Sequence, residues 1–408
     1  MARDTDRIGC RHTRDRKRMT HTHAALAPNA VIGIVGGGQL GRMSAVAASR
    51  LGYKTHILTQ DAHGPAAQVC SAITLGAYDD PAALDAFAKA VDVVTFEFEN
   101  ISADALDRLS RHCPVRPSGN ILRISQDRLA EKTFLAEAGV PLAPWHAVTD
   151  HASLHAAADR LGFPLILKTT RNGYDGKGQR RVQNVAELDE AFAALAPHPL
   201  VAEGMVDFAC ELSVMVARGT DGTIQCFDTV LNHHWHGILD LTLAPAPVPE
   251  SVAEEAGRLA ALIAERFDLV GIMGVEMFLV RDGSLMVNEV APRPHNSGHW
   301  SMDACAQDQF DMHIRAVAGL PLPHATRHSD AVMKNLVGPE DMALWPAILA
   351  NPGHIPHLYG KKEAREGRKM GHVNILFPYG ALPGDWGIQA ALGPLATKCA
   401  SPPPADED

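Results

Sequence analysis

Three things are scarce in this 408-residue chain, and each scarcity removes a class of protein. No stretch approaches the roughly 20 uncharged apolar residues that a membrane-spanning helix needs, so no transmembrane span is predicted. The seven cysteines (Cys10, Cys70, Cys113, Cys210, Cys226, Cys305 and Cys399) are scattered, odd in number and without a CxxC pair. That pattern indicates neither a disulfide framework nor a zinc site, and a reducing, cytoplasmic setting is expected. Net positive charge is missing too. Against 47 Asp and Glu stand 37 Lys and Arg, a balance of −10 that argues against general nucleic-acid or anionic-membrane binding. Basic clusters therefore have to be read one at a time. The amino-terminal segment lacks apolar residues, with seven Lys or Arg and three Asp in residues 1–18. It cannot pack a core, and Ala24-Ala25-Leu26-Ala27 is too short for a signal peptide. The expectation is that Met19 is the natural start, or that the segment is a disordered tail.

What is present centres on residues 271–300. Gly274 to Val280 and Leu285 to Val290 are apolar runs separated by Asp282-Gly283, which predicts a β-hairpin with a two-residue turn. In that register Glu276 faces Glu289. Like charges opposite one another destabilise a sheet, so the pair calls for a cation, and a hard divalent ion such as Mg²⁺ suits carboxylate oxygens. A solvated hairpin face is the plainer alternative. It is weakened by the loop that follows, where Arg293, His295 and His299 come directly after Glu289. The group reads as a phosphate and metal site.

Further signals lie on either side. Val31 to Val35, Gly36-Gly37-Gly38-Gln39-Leu40-Gly41 and an Ala-rich stretch read as strand, glycine turn and helix, with Asp61 about 20 residues on. That fits a dinucleotide site or an ordinary tight β-α turn. Glu97 and Asn100 follow an apolar strand from Val91, at the end where open α/β sheets bind ligands, and read either as substrate contacts or as part of a solvated loop. Lys168 interrupts a buried run and precedes Gly173-Tyr174-Asp175-Gly176-Lys177-Gly178-Gln179, a candidate flap over phosphates that lacks the GK[ST] of a P-loop. A strand over Ile224–Leu231 runs into Asn232-His233-His234-Trp235-His236, read as a surface loop with a phosphate contact as its functional alternative. Helices are expected over 125–138, 151–161, 251–266 and 303–318. Residues 357–372 gather Lys361, Lys362, Arg365, Arg368 and Lys369 around glycines, either a solvated face or a site for a phosphate monoester. The end, Pro402 to Asp408, reads as an acidic tail.

Taken together, Gly36 to Met43, Thr95 to Asn100, Gly173 to Gln179, Asn288 to His299 and Tyr359 to His372 resemble the ATP-grasp superfamily. Within it they resemble the 5-(carboxyamino)imidazole ribonucleotide synthetases of purine biosynthesis. The resemblance implies an α/β fold, α+β in its ATP-binding part. A disordered tail over 1–28 would precede a Rossmann-like pre-ATP-grasp domain over 29–120 that binds substrate. An ATP-grasp domain over 121–320, with a flap subdomain over about 127–203, would be followed by a small β-rich domain over 321–385 and a tail over 386–408.

For the site, the resemblance implies ATP between two antiparallel sheets, with Arg128 and Lys168 near its phosphates and the 173–179 flap above. Glu203, Gly204, Met205 and Val206 would lie at the adenine, and Glu211 on the ribose with His234 nearby. Glu276 and Glu289 would hold Mg²⁺, or Mn²⁺ in its place, with Asn288 alongside. Wider relatives often carry an Asn where this chain has Ala291. Arg293 and His295 would bind bicarbonate or carboxyphosphate, and Tyr174, Asp175 and Lys177 would meet the substrate from the flap. Lys361 and Arg368 would hold the ribonucleotide phosphate, with Gln39, Leu40, Glu97 and Asn100 on its base and ribose side. The implied reaction carboxylates 5-aminoimidazole ribonucleotide at the expense of ATP and bicarbonate, in a cytoplasmic homodimer with no nucleic-acid or membrane partner. Rival readings are another ATP-grasp ligase, such as a formate-dependent glycinamide ribonucleotide transformylase or a biotin-type carboxylase, an NAD-dependent oxidoreductase, and a non-catalytic ATP-binding regulator.

Overall fold

The computed structural model describes residues 25–171, 173, 178–195 and 197–398, with the backbone alone at 397 and 398. Tyr174, Asp175, Gly176 and Lys177 lie outside the described residues. Among the described residues no helix is long and apolar enough to cross a membrane.

Four short parallel strands form the first sheet: β1 (Val31–Val35), β2 (Lys54–Thr59), β3 (Ala72–Leu75) and β4 (Val93–Phe96), in the order β3-β2-β1-β4. β4 is buried along its whole length, as expected where helices cover both faces of a parallel sheet. Asp80 caps the helix Pro81–Ala88 by accepting from Ala82 N–H, as its sequence suggests.

The second sheet is antiparallel at each contact. It holds β5 (Trp145–Val148), β6 (Leu165–Thr169), β7 (Gln179–Val182) and β8 (Leu200–Gly204), ordered β5-β8-β6-β7. The helices His151–Leu161 and Val185–Leu195 pack on it through Leu154, Ala157, Leu188 and Ala191.

The third sheet has nine strands: β9 (Phe208–Arg218), β10 (Ile224–Cys226), β11 (Val230–Trp235), β12 (Ile238–Ala244), β13 (Gly271–Val280), β14 (Leu285–Ala291), β15 (Ser329–Val337), β16 (His354–Leu358) and β17 (Lys369–Pro378). Their order is β14-β13-β9-β11-β12-β15-β17-β16, with β10 paired to β9. The helix Glu250–Arg266 lays Leu259, Ala260 and Ile263 on this sheet, completing the largest core. The helix Gln309–Ala318 ties the first sheet to the third. Phe310 and Ile314 join the core of β1, and His313 Nε2 pairs with Thr95 Oγ1 at 2.9 Å. Each such side chain contributes about 1.5–3 kcal/mol by burial.

Several expectations need correction. The hairpin tip is a three-residue loop, not a two-residue turn: Gly283 N–H bonds Val280 C=O, Val280 N–H bonds Ser284 C=O, and Gly283 has φ +89°. That is a type I turn closed by a left-handed glycine. It shifts the ladder by one, pairing Met277 with Val287 and Leu279 with Leu285. A bulge at Asn288 then restores Glu276 opposite Glu289. The predicted pair is right, reached through two offsetting departures.

The strand over 224–231 is two strands, β10 and β11, and His233, His234 and Trp235 belong to β11, not to a loop. The helix over 125–138 begins at Arg128, capped by Asp127, with a separate helix Gly119–Ser125 before it. The helix over 303–318 is broken, because Asp308 accepts from Phe310 and Asp311 N–H and starts a new one. Residues 386–398 are not a tail: the helix Asp385–Leu392 buries Ile388 and Leu392, and Leu395 follows them into the core. At the other end Leu26 N–H bonds Ala318 C=O and Leu26 C=O accepts from Tyr53 Oη, so Leu26, expected to lie in the tail, is held by the fold, and residues 1–24 lie outside the described residues.

Candidate active site

The glycine turn after β1 is already filled. Both oxygens of Glu97 are used there, one by Gly38 N–H and the other by Gly41 N–H at 2.6 Å. A carboxylate thus stands at the helix N-terminus, where a dinucleotide enzyme would place its pyrophosphate. Burial raises the Glu97 pKa, and the two N–H groups oppose that rise. Asp61, the ribose candidate of the oxidoreductase reading, instead accepts from His63 N–H at 2.8 Å in a local turn. Gln39 and Leu40 open the following helix, and Asn100 is exposed at the end of the β4 loop.

Glu276 and Glu289 lie side by side across β13 and β14. Burial first, and then the facing Glu289, push Glu276 well above the usual carboxylate range. Arg128 Nη1 stands 3.3 Å from Glu289 Oε2. The helix Arg128–Glu137 carries Glu131 and Lys132 on the same side, as spacings of three and four residues dictate. Glu131 is buried, and burial together with Glu289 pushes it up to about 8. Lys132 reaches back to Glu203 Oε1 at 3.2 Å, and Lys168 bonds Glu203 Oε2 at 2.9 Å. Glu203 therefore spends its side chain holding two buried ammonium groups, and its backbone is paired with both neighbouring strands, while Gly204 N–H bonds Pro144 C=O. The pair Lys168–Gln179 closes the base of the flap, where Gly178 C=O accepts from Thr169 N–H and Gly173 lies close to Gly178.

Beside Glu276, a small cavity is lined by Glu211, Leu212, Asn232, His234, Met277, Phe278 and Asn288. Glu211 and His234 are ion-paired. Glu211 raises the His234 pKa against the opposing effect of burial. Asn288 enters this cavity as the additional residue of the bulge, where two residues oppose one.

The loop after β14 is fixed by one amide. Gln309 accepts from His295 N–H and donates to His295 C=O, both at 2.9 Å, and also meets His299 Nδ1 at 2.7 Å. Arg293 pairs through Nε with Glu99 Oε1 at 2.7 Å, linking this loop to the first sheet. His295 Nε2 lies 3.4 Å from Glu276 Oε1. Burial and the neighbouring Arg293 hold the His295 pKa well below its usual value. From the other side Lys361 bonds Lys369 C=O at 2.6 Å, and burial with nearby Arg368 lowers its pKa to about 8. Arg368 bonds Glu363 C=O at 3.1 Å. Gln68 joins Arg42 to the Gly360 carbonyl, so the basic loop rests on the first sheet's helix.

The sequence reading brings Glu276, Glu289, Arg293 and His295 together as expected. It misses Glu99, Glu131 and Lys132, which sit in ordinary charged stretches whose role appears only when the helix and loop are docked.

A parallel sheet, an antiparallel flap sheet and a large antiparallel sheet whose edge hairpin carries paired carboxylates define the ATP-grasp class of ligases. Residues 133–310 match the ATP-grasp domain, residues 29–126 the ribonucleotide synthetase preATP-grasp domain, and residues 331–379 the phosphoribosylaminoimidazole carboxylase C-terminal domain. The chain is 50% identical to the N5-carboxyaminoimidazole ribonucleotide synthase of Brucella melitensis, over 87% of this chain and 98% of that one. The Staphylococcus aureus N5-carboxyaminoimidazole synthetase complexed with ADP superposes with a TM-score of 0.85 at 37% identity, covering 90% of this chain and 98% of that one. The Aspergillus clavatus synthase, in complex with ADP and 5-aminoimidazole ribonucleotide, gives 0.84 at 33% identity over 90% and 98%. The chain belongs to the N5-carboxyaminoimidazole ribonucleotide synthase family.

Proposed function

We propose that this chain uses ATP and bicarbonate to carboxylate the exocyclic amine of 5-aminoimidazole ribonucleotide, releasing ADP and phosphate in purine biosynthesis. The observation that carries the site assignment is Glu276 facing Glu289, with the Arg293–His295 loop folded directly over them. Oxygen donors from Glu276, Glu289 and Asn288 match what Mg²⁺ or Mn²⁺ takes, and the raised pKa of Glu276 marks a place that a cation would neutralise. Such an ion supplies charge neutralisation to the transferring phosphoryl group.

The protein groups do the rest. Arg128 and Lys168 approach the phosphates, with Lys168 held in place by Glu203. Glu211 and His234 take the ribose side, and residues 203–206, the end of β8 and the connector after it, take the adenine side. Gly173, Gly178 and Gln179 stand at the base of the flap, and the substrate contacts expected of Tyr174, Asp175, Gly176 and Lys177 fall outside the described residues. Arg293 and His295 bind bicarbonate and then carboxyphosphate, a labile acyl phosphate that must be kept from water. Lys361 and Arg368 hold the phosphate of the ribonucleotide, which places the acceptor amine on the Arg293 side. Glu97 supports that wall from within the glycine turn, next to Gln39, Leu40 and Asn100. A homodimer in the cytoplasm is the expected working form.

ADP release with MgATP, testing bicarbonate and 5-aminoimidazole ribonucleotide singly and together, checks the assignment. Turnover that needs the ribonucleotide and is lost in Glu289→Ala supports it. Turnover stimulated instead by glycinamide ribonucleotide with formate refutes the substrate and leaves the fold standing.

A further inference from the structure

A line of buried polar side chains runs across three neighbouring strands of the large sheet and ends on His295. Thr242 of β12 donates to Asn232 Oδ1 at 2.9 Å, and Asn232 of β11 donates to Ser213 Oγ at 2.8 Å. Ser213 of β9 donates to Ser297 Oγ at 2.8 Å, and Ser297 Oγ lies 2.9 Å from His295 Nδ1. Thr242, Ser213 and Ser297 are fully buried and Asn232 is 4% exposed, so water does not substitute for any link.

Hydroxyls and amides can each point either way, but one donor in this chain cannot be reversed. The backbone N–H of Ser297 also points at His295 Nδ1, at 3.4 Å. A backbone N–H only donates, so Nδ1 is an acceptor and the ring proton sits on Nε2. The rest follows link by link. Ser297 gives its hydrogen to Nδ1, accepts from Ser213, which accepts from Asn232, whose carbonyl accepts from Thr242. Nε2–H then faces Glu276 Oε1 and the space beside it.

We infer that Thr242, Asn232, Ser213 and Ser297 are positioning residues that lock His295 in its Nε2–H tautomer, so that it meets the reacting anion as a hydrogen-bond donor and not as a base. This rests on the reading of His295 as a contact of bicarbonate and carboxyphosphate. A donor suits both, since each presents acceptor oxygens where His295 would meet it. It also prevents His295 from taking the proton that carboxyl transfer releases from the amine, which another group or phosphate itself must accept.

The test is ¹⁵N NMR of the full-length enzyme labelled at histidine, with the His295 signals assigned by their loss in His295→Gln. The expected wild-type pattern is a protonated Nε2 and a bare Nδ1. Ser297→Ala removes the 2.9 Å hydroxyl contact and leaves only the longer 3.4 Å backbone N–H to hold Nδ1, so it is expected to give a mixture of tautomers and to raise the bicarbonate KM about tenfold, the loss of one hydrogen bond to a charged group, with the ATP KM unchanged. Ser213→Ala, one link further from the ring, is expected to shift the tautomer in the same direction by less. A wild-type ring protonated at Nδ1, or no tautomer change in either variant, overturns the inference. If His295→Gln keeps wild-type turnover, the contact reading fails separately, because the NMR pattern still reports the lock.

Discussion

Replacing Glu276 by Gln should make the metal-free protein more stable while abolishing its reaction. The isosteric amide keeps the shape of the hairpin and removes one of two facing carboxylates. Opposed cross-strand side chains stand about 5 Å apart, and two unit charges at that separation repel by about 3 kcal/mol at an effective dielectric of 20. Glu289 has 41% of its side chain exposed, so solvent screening cuts the gain to about 1–2 kcal/mol. For 408 residues the unfolding entropy is about 0.9 kcal/mol/K, which converts that gain to a rise of roughly 2 °C in Tm.

The sign depends on pH. Glu276 has a folded pKa raised above its unfolded value, so the native state holds more protons than the unfolded state within that window. Stability of the wild type therefore falls as pH rises from the ordinary carboxylate range through the raised value. The variant escapes that loss, and the gap should be absent near pH 4 and fully open near pH 8. Thermal unfolding in EDTA at both pH values measures it, and saturating Mg²⁺ should close the gap from the wild-type side. A variant less stable than wild type at pH 8, or one that keeps MgATP-dependent ADP release, would refute the reasoning.

Three other outcomes are expected. Glu203→Leu strands Lys132 and Lys168 without a counter-charge in the flap hinge and should cost about 3–5 kcal/mol, readable by urea unfolding. Lys361 has a pKa lowered to about 8, so its positive charge fades above that pH, and the KM for the ribonucleotide should climb through it while the KM for ATP stays flat. Gly38→Ala places a Cβ 2.7 Å from Glu97 Oε1 and should drive that carboxylate out of the glycine turn, lowering Tm by several degrees in a thermal melt.

The sequence makes the paired glutamates visible because apolar strands leave few reasons for a charge, whereas the register reaches them only because the three-residue tip and the bulge at Asn288 offset one another. It makes Arg293 and His295 visible because they follow at once in the chain. What it conceals depends on docking. Glu97 reads as a free ligand contact, and only the approach of β4 to the turn after β1 shows both its oxygens engaged. Glu203 reads as part of an adenine connector, whereas its partners Lys132 and Lys168 lie 71 and 35 residues away. Ser213, Asn232 and Thr242 carry no pattern at all, since single polar residues inside apolar strands look like noise until neighbouring strands align them. The broken helix before Gln309 is likewise hidden, because Asp308 looks like one more exposed acid.

The bulge at Asn288 has an evolutionary reading. The three-residue tip already places residue 288 opposite Glu276, so a hairpin lacking Asn288 would bring Glu289 into that position and still pair the carboxylates in an unbroken ladder. Asn288 is in that sense a guest: the third oxygen donor proposed for this site occupies the extra position of a hairpin whose two glutamates would pair without it. A lineage can add or lose such a donor in a single-codon indel without moving either glutamate, which makes the ligand number of this site easier to change than its architecture.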